Sequence, residues 1–159
     1  MRDPDGAVER SETEAAARTL GLELVSSEAR GPADLEPALA TAARGRIGGL
    51  VVTLDRLTMS NSKAIADLAV KHQLPAVYPR RQFIDRLGGA GLMSYGPSSL
   101  DIARRVAAYI DRILKGSSPA SLPVEEPHEF ELVINVTTAT ALGLTIPESI
   151  RLRASVVVE

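Results

Sequence analysis

The chain has no cysteine among its 159 residues. Disulfides and thiolate chemistry are therefore excluded, and redox usage gives no clue to compartment. Aromatic residues are scarce: two phenylalanines and three tyrosines, with no tryptophan. Only two histidines occur, His72 and His128, and neither has a nearby metal-ligand partner. His72 falls near a predicted helix end, where interaction with the helix dipole is its default role. The residues imply no cofactor and no metal. No large excess of one charge exists either, the net charge being -2, so there is no electrostatic case for nucleic acid or an anionic membrane. The doublets Arg80-Arg81 and Arg104-Arg105 read as solvated surface. No apolar run is long enough to span a bilayer. The first twenty residues, MRDPDGAVERSETEAAARTL, carry no apolar export core, so the chain as written reads as soluble and unexported. Phosphate-loop, nucleophile-elbow and paired-histidine patterns are missing as well, and the expectation is a binding protein rather than an enzyme.

What is present is an alternation of helical and strand patterns. Residues 7–20 predict a helix stopped by Gly21, and LELVS at 22–26 predicts a strand. Leu35, Leu39 and Ala43 recur at helical spacing, which predicts a helix over 33–44. IGGLVVTL at 47–54 reads as a strand buried on both faces. A helix follows at 61–72, with Ser60 or Asn61 as its cap. PAVY at 75–78 is a short strand, RQFIDRLG a helical turn or two, and GLMSY at 91–95 the next strand. The glycines at 88, 89 and 91 precede that strand rather than follow one, so they form a loop and not a dinucleotide site. The longest helix covers 98–115. A Pro- and Ser-rich linker over 117–128 leads to a strand at 129–136 and a short helix at 137–143. A turn and a last short strand close the chain. Strands alternating with helices roughly every 26 residues predict an α/β domain, a three-layer sheet with mainly parallel strands.

In such sheets ligands bind beyond the carboxyl ends of the strands. Tyr95 ends one strand, Tyr78 ends another and Asp55 follows a third. If those strands are parallel neighbours, the three side chains reach one rim. Asp55 could anchor an ammonium or hydroxyl group, or simply occupy a turn. Ser60 and Asn61 could donate to a carboxylate, or cap the next helix. Tyr78 and Tyr95 could stack on a ligand, or pack under a loop. Tyr109, inside the long helix, reads as structural.

The segments PAVYPRRQF, GLMSYGP, RILKG, FELVIN and TATALGLTIP resemble the C-terminal half of ABC-transporter substrate-binding proteins, which have the type I periplasmic-binding fold. The resemblance implies one truncated lobe of a two-lobed, exported protein that holds a small solute, amino-acid-like or another small organic, in its cleft and delivers it to an ABC permease. It implies that residues 91–116 belong with the absent first lobe. Asp55, Ser60, Tyr78 and Tyr95 stand at positions matching the family's pattern. Two departures are Leu54 before Asp55, where members commonly have proline, and Gln82 after Arg81, where they commonly have an acidic residue. The stripe Leu100, Ala103, Ala107, Ile110 and Leu114 on the long helix must be buried. With no first lobe, the expectation is a homodimer that buries two stripes or exchanges residues 91–116. The alternatives are an intracellular ligand-sensing domain and a dimerising remnant that binds nothing.

Overall fold

The computed structural model describes residues 4–84 and 89–159. Seven helices and five strands lie in this region. Helix α1 (Pro4–Thr19) ends where Gly21 takes a left-handed φ of +68°, and the Leu22 amide donates to the Ala17 carbonyl. This closes the helix as a glycine C-terminal motif does. Helix α2 (Pro32–Arg44) has proline at its first position, where the missing N–H costs nothing. Strand β1 (Leu50–Val51), β2 (Ala76–Tyr78), β3 (Met93–Pro97), β4 (Phe130–Asn135) and β5 (Val156–Val158) form one sheet in that spatial order. The β1–β2, β2–β3 and β4–β5 pairs are parallel and β3–β4 is antiparallel. The mainly parallel α/β sheet expected from the alternation is therefore present.

Register decides which side chains reach the core. Tyr78 lies opposite Ser94, and Ser94 lies opposite Val133. These three share one face, because paired residues point the same way and successive residues alternate. All three are buried. Ile65, Ala66 and Ala69 of α4 (Ser62–Lys71) and Leu35 and Leu39 of α2 join the same cluster, with Phe83 and Ile84 beside them. Phe83 ends a 3-10 turn, Arg81–Phe83. Its ring stacks on Tyr78 with centroids 4.8 Å apart. Residues 85–88 of the turn expected at RQFIDRLG, Gly88 among them, lie outside the described residues.

Three expectations are corrected. Residues 22–26 form no strand and make no ladder; Leu22 and Val25 are exposed. A strand exists through its neighbour's hydrogen bonds, and no strand of the sheet pairs with 22–26. The run 47–54 is likewise no doubly buried strand. It pairs on one side only, through the Leu50 and Val52 amides to the Pro75 and Val77 carbonyls, and Val51 is 59% exposed. The helix expected at 61–72 has a separate turn of helix before it, α3 (Arg56–Ser60), capped by Asp55. Ser60 ends α3, and the Asn61 side chain makes no cap bond to α4.

Helix α5 (Ser99–Leu114) begins at a Ser98 cap, with the Ser98 amide bonded to the Glu129 carbonyl. The segment 117–128, which contains a 3-10 turn at Pro119–Ser121, runs back along it. Tyr109 Oη donates to the Pro123 carbonyl, and Arg105 joins Asp101 and Glu125 at 2.8 Å each. The apolar side of α5 is left open: Leu100, Val106, Ile110 and Leu114 are all more than half exposed. Beyond β4, α6 (Val136–Ala141) is capped by Asn135, and α7 (Glu148–Arg151) leads into β5. No described helix is long and apolar enough to cross a membrane.

Candidate functional site

The carboxyl ends of β1, β2 and β3 lie on one edge of the sheet, since these strands run parallel. Side chains and backbone tie the three ends together. Gln82 Nε2 donates to the Met59 carbonyl at 3.3 Å, linking the β2 exit to α3. Arg80 Nη1 donates to the Pro97 carbonyl at 3.2 Å, linking it to the end of β3. Beside this junction is a cavity of about 220 Å³, lined by Arg81, Ser94, Gly96, Pro97, Ser99, Leu100 and Glu131. Ser94, Gly96 and Glu131 share one face of the β3–β4 pair. Ser99 and Leu100 belong to the first turn of α5. The cavity therefore has an arginine, a glutamate and the first turn of a helix among its walls.

The residues marked out in the sequence fall around this junction in different ways. Asp55 is partly buried. Its Oδ1 accepts from the Thr58 amide at 2.8 Å, while the Thr58 hydroxyl accepts from the Asp55 amide at 3.1 Å. That reciprocal box occupies one carboxylate oxygen in capping α3. Ser60 is exposed, and Asn61 Nδ2 donates to the Leu57 carbonyl at 2.8 Å. Tyr78 points away from the rim into the core, where it is 1% exposed. Its hydroxyl is buried with no partner. Burial, helped by the charge of Asp67, pushes its phenol well above the ordinary tyrosine range. Tyr95 points the other way, because it follows Ser94 by one residue. It is 59% exposed and stacks on Phe130 at 5.6 Å. The structure thus separates the two tyrosines onto opposite faces of the sheet.

Arg81, Ser99 and Glu131 were not singled out by the sequence. Arg81 sits in a doublet that reads as surface, and Ser99 in a run that reads as a helix start. Their only early signal is position, just past the carboxyl ends of β2 and β3. A second hollow of about 330 Å³ lies at the far edge, between α4, the start of α6 and the end of β5, with Lys63, Asp67, Asn135 and Thr138 among its walls. Asn135 and Thr138 are used locally there, in the cap of α6. Among the described residues, no three His, Asp or Glu side chains group to hold a metal.

In open, mainly parallel α/β sheets ligands bind beyond the carboxyl ends of the strands, and the cavity lies at that edge. The family model described as ABC transporter substrate binding protein matches residues 5–158, and the chain belongs to that family. Among solved structures, a conserved domain protein from Vibrio cholerae is 28% identical, with a TM-score of 0.81 over 95% of this chain and 50% of its own. The ABC domain in complex with L-Trp from Streptococcus pneumoniae is 22% identical, with a TM-score of 0.82 over 96% of this chain and 52% of its own. A ligand-free, open substrate binding protein with adhesive properties from Clostridium difficile is 18% identical, with a TM-score of 0.70 over 99% of this chain and 52% of its own. This chain thus spans about half the length of each. No curated protein matches it.

Proposed function

We propose that the chain is the solute-binding lobe of an ABC importer's substrate-binding component, acting on the outer side of the membrane and delivering its solute to a permease. The cavity bounded by Arg81, Ser99 and Glu131 carries the reading. Two opposite charges about one small space suit a zwitterion: Arg81 and the α5 amino end for a carboxylate, Glu131 for an ammonium. An amino acid or similar small molecule fits a volume of about 220 Å³, and a structural neighbour holding L-Trp supports that class. Asp55, Ser60 and Asn61 would line the approach from α3, while Tyr95, which points to the opposite face of the sheet, would take no part in holding a solute in this cavity. Tyr78 acts from behind, by holding Phe83. Binding rather than catalysis is the task, and no cofactor takes part.

The reading includes self-association through the open face of α5, from Leu100 through Ala103, Ala107 and Ile110 to Leu114. Residues 91–97 serve the sheet, and 98–116 serve that association, with 117–128 as the strap between.

The test is thermal unfolding against amino acids, small carboxylates and sugars. A solute at a hundred times its dissociation constant should add about 2.7 kcal/mol. An upward shift confined to amino acids is expected. A flat response in a cooperatively melting protein would overturn the reading in favour of a protein–protein role.

A further inference from the structure

The ladder between β2 and β3 is short. Val77 lies opposite Met93 and Tyr78 opposite Ser94, and there the pairing ends. Strand β3 runs on through Tyr95, Gly96 and Pro97, paired over those residues with β4. The segment that leaves β2 must therefore be held against β3 by contacts outside the ladder. Two are present. The bare Gly96 backbone packs on Pro79, so closely that a Cβ at position 96 would lie 2.1 Å from the Pro79 carbonyl oxygen. One residue further along each segment, Arg80 Nη1 donates to the Pro97 carbonyl at 3.2 Å. Arg80 is half-buried, not the solvated surface residue that the Arg80-Arg81 doublet suggests.

We infer that Arg80 is a positioning residue for the solute cavity, fixing its Arg81 wall against its α5 wall. That role rests on the proposed solute site and adds the device that keeps the site in shape. Arg80 lies outside the cavity's lining. It directly precedes Arg81, and its backbone opens the 3-10 turn that carries Arg81, with the Phe83 amide donating to the Arg80 carbonyl. Its guanidinium grips Pro97, which lines the cavity and stands just before the Ser98 cap of α5. One side chain thus joins the turn that carries Arg81 to the helix start that carries Ser99 and Leu100. Helix stability gives no reason for an arginine here, since a cation near the amino end of a helix is unfavourable. A strong link does give one, because a hydrogen bond from an ionised donor is about twice as strong as a neutral one.

Amide hydrogen exchange tests this without any solute. Arg80→Met keeps an apolar stem and loses the donor. In that protein the Ser98 and Ile84 amides, bonded to the Glu129 and Arg81 carbonyls on either side of the lost link, should exchange about tenfold faster or more. The Leu74 amide, bonded to the Ala69 carbonyl at the end of α4, should keep its rate. Arg80→Lys, with a donor on a flexible stem, should restore part of the protection. Calorimetric titration of the parent's best amino acid should follow the same order, with a loss of about tenfold in Arg80→Met and a smaller one in Arg80→Lys. Unchanged exchange at Ser98 and Ile84 would overturn the role. Equal acceleration at Leu74 would overturn it too, because it marks a general loss of stability. Local acceleration with unchanged affinity would do the same while leaving the solute reading intact. A parent that binds no amino acid, with exchange raised at Ser98 and Ile84 alone in Arg80→Met, would instead remove the solute reading and support the coupling of the two segments.

Discussion

The Gly96→Ala protein is expected to lose about 3 kcal/mol or more of stability, a large part of what a domain of this size possesses. A Cβ at position 96 would lie 2.1 Å from the Pro79 carbonyl oxygen and 3.1 Å from its carbon. Both are backbone atoms, so no side chain can rotate away to make room. The chain leaving β2 is also pinned to β3 by the Arg80–Pro97 bond. Separating the two would therefore disturb the sheet and the cavity together. Gly48→Ala is the control, since nothing lies within 4 Å of its Cβ, and its stability should stay within about 0.5 kcal/mol of the parent. Urea unfolding of the two variants measures the contrast. Equal stabilities would mean that β3 does not pass this close to Pro79.

Phe83→Ala should be similarly damaging, at about 3–5 kcal/mol. Its ring is fully buried, and its loss removes the stacking partner of Tyr78 in the core. Tyr78→Phe should behave in the opposite way, remaining within about 1 kcal/mol of the parent or becoming more stable. The hydroxyl it removes is buried and unpartnered, so deleting it also deletes a desolvation cost. It should leave solute binding unchanged. A loss of binding in Tyr78→Phe without a loss of stability would place that hydroxyl at the solute after all.

These contrasts show where the sequence is readable and where it is not. Local signals mark α2 and α5 well: proline at the first turn of one, Ser98 before the other, and apolar spacing along both. The parallel sheet follows from alternation. Strand edges do not, because apolar content cannot reveal whether a neighbour exists. The run 47–54 looks central by composition yet lies at an edge, and 22–26 looks like a strand yet pairs with nothing. Site membership fails for a related reason. Tyr78 and Tyr95 both end apolar runs, but a register of Tyr78 against Ser94 sends them to opposite faces. One residue of register, invisible in the sequence, moves a tyrosine from rim to core. Asp55 illustrates a different limit. Its residue type suits a ligand anchor and a helix cap equally, and only Thr58 three residues later points to the cap. Arg81 and Glu131 are far apart in sequence and line one cavity only because β3 pairs with both β2 and β4.

A solute held between Arg81, Ser99 and Glu131 is the core of the proposed function. Its most direct test is calorimetric titration of the best solute from the thermal screen into the parent, Arg81→Ala and Glu131→Gln proteins. Measurable binding by the parent and a loss of about tenfold or more in each variant are expected, as for a lost charged hydrogen bond. Equal affinity in all three, with each variant folded, would contradict it and move the solute elsewhere on the lobe.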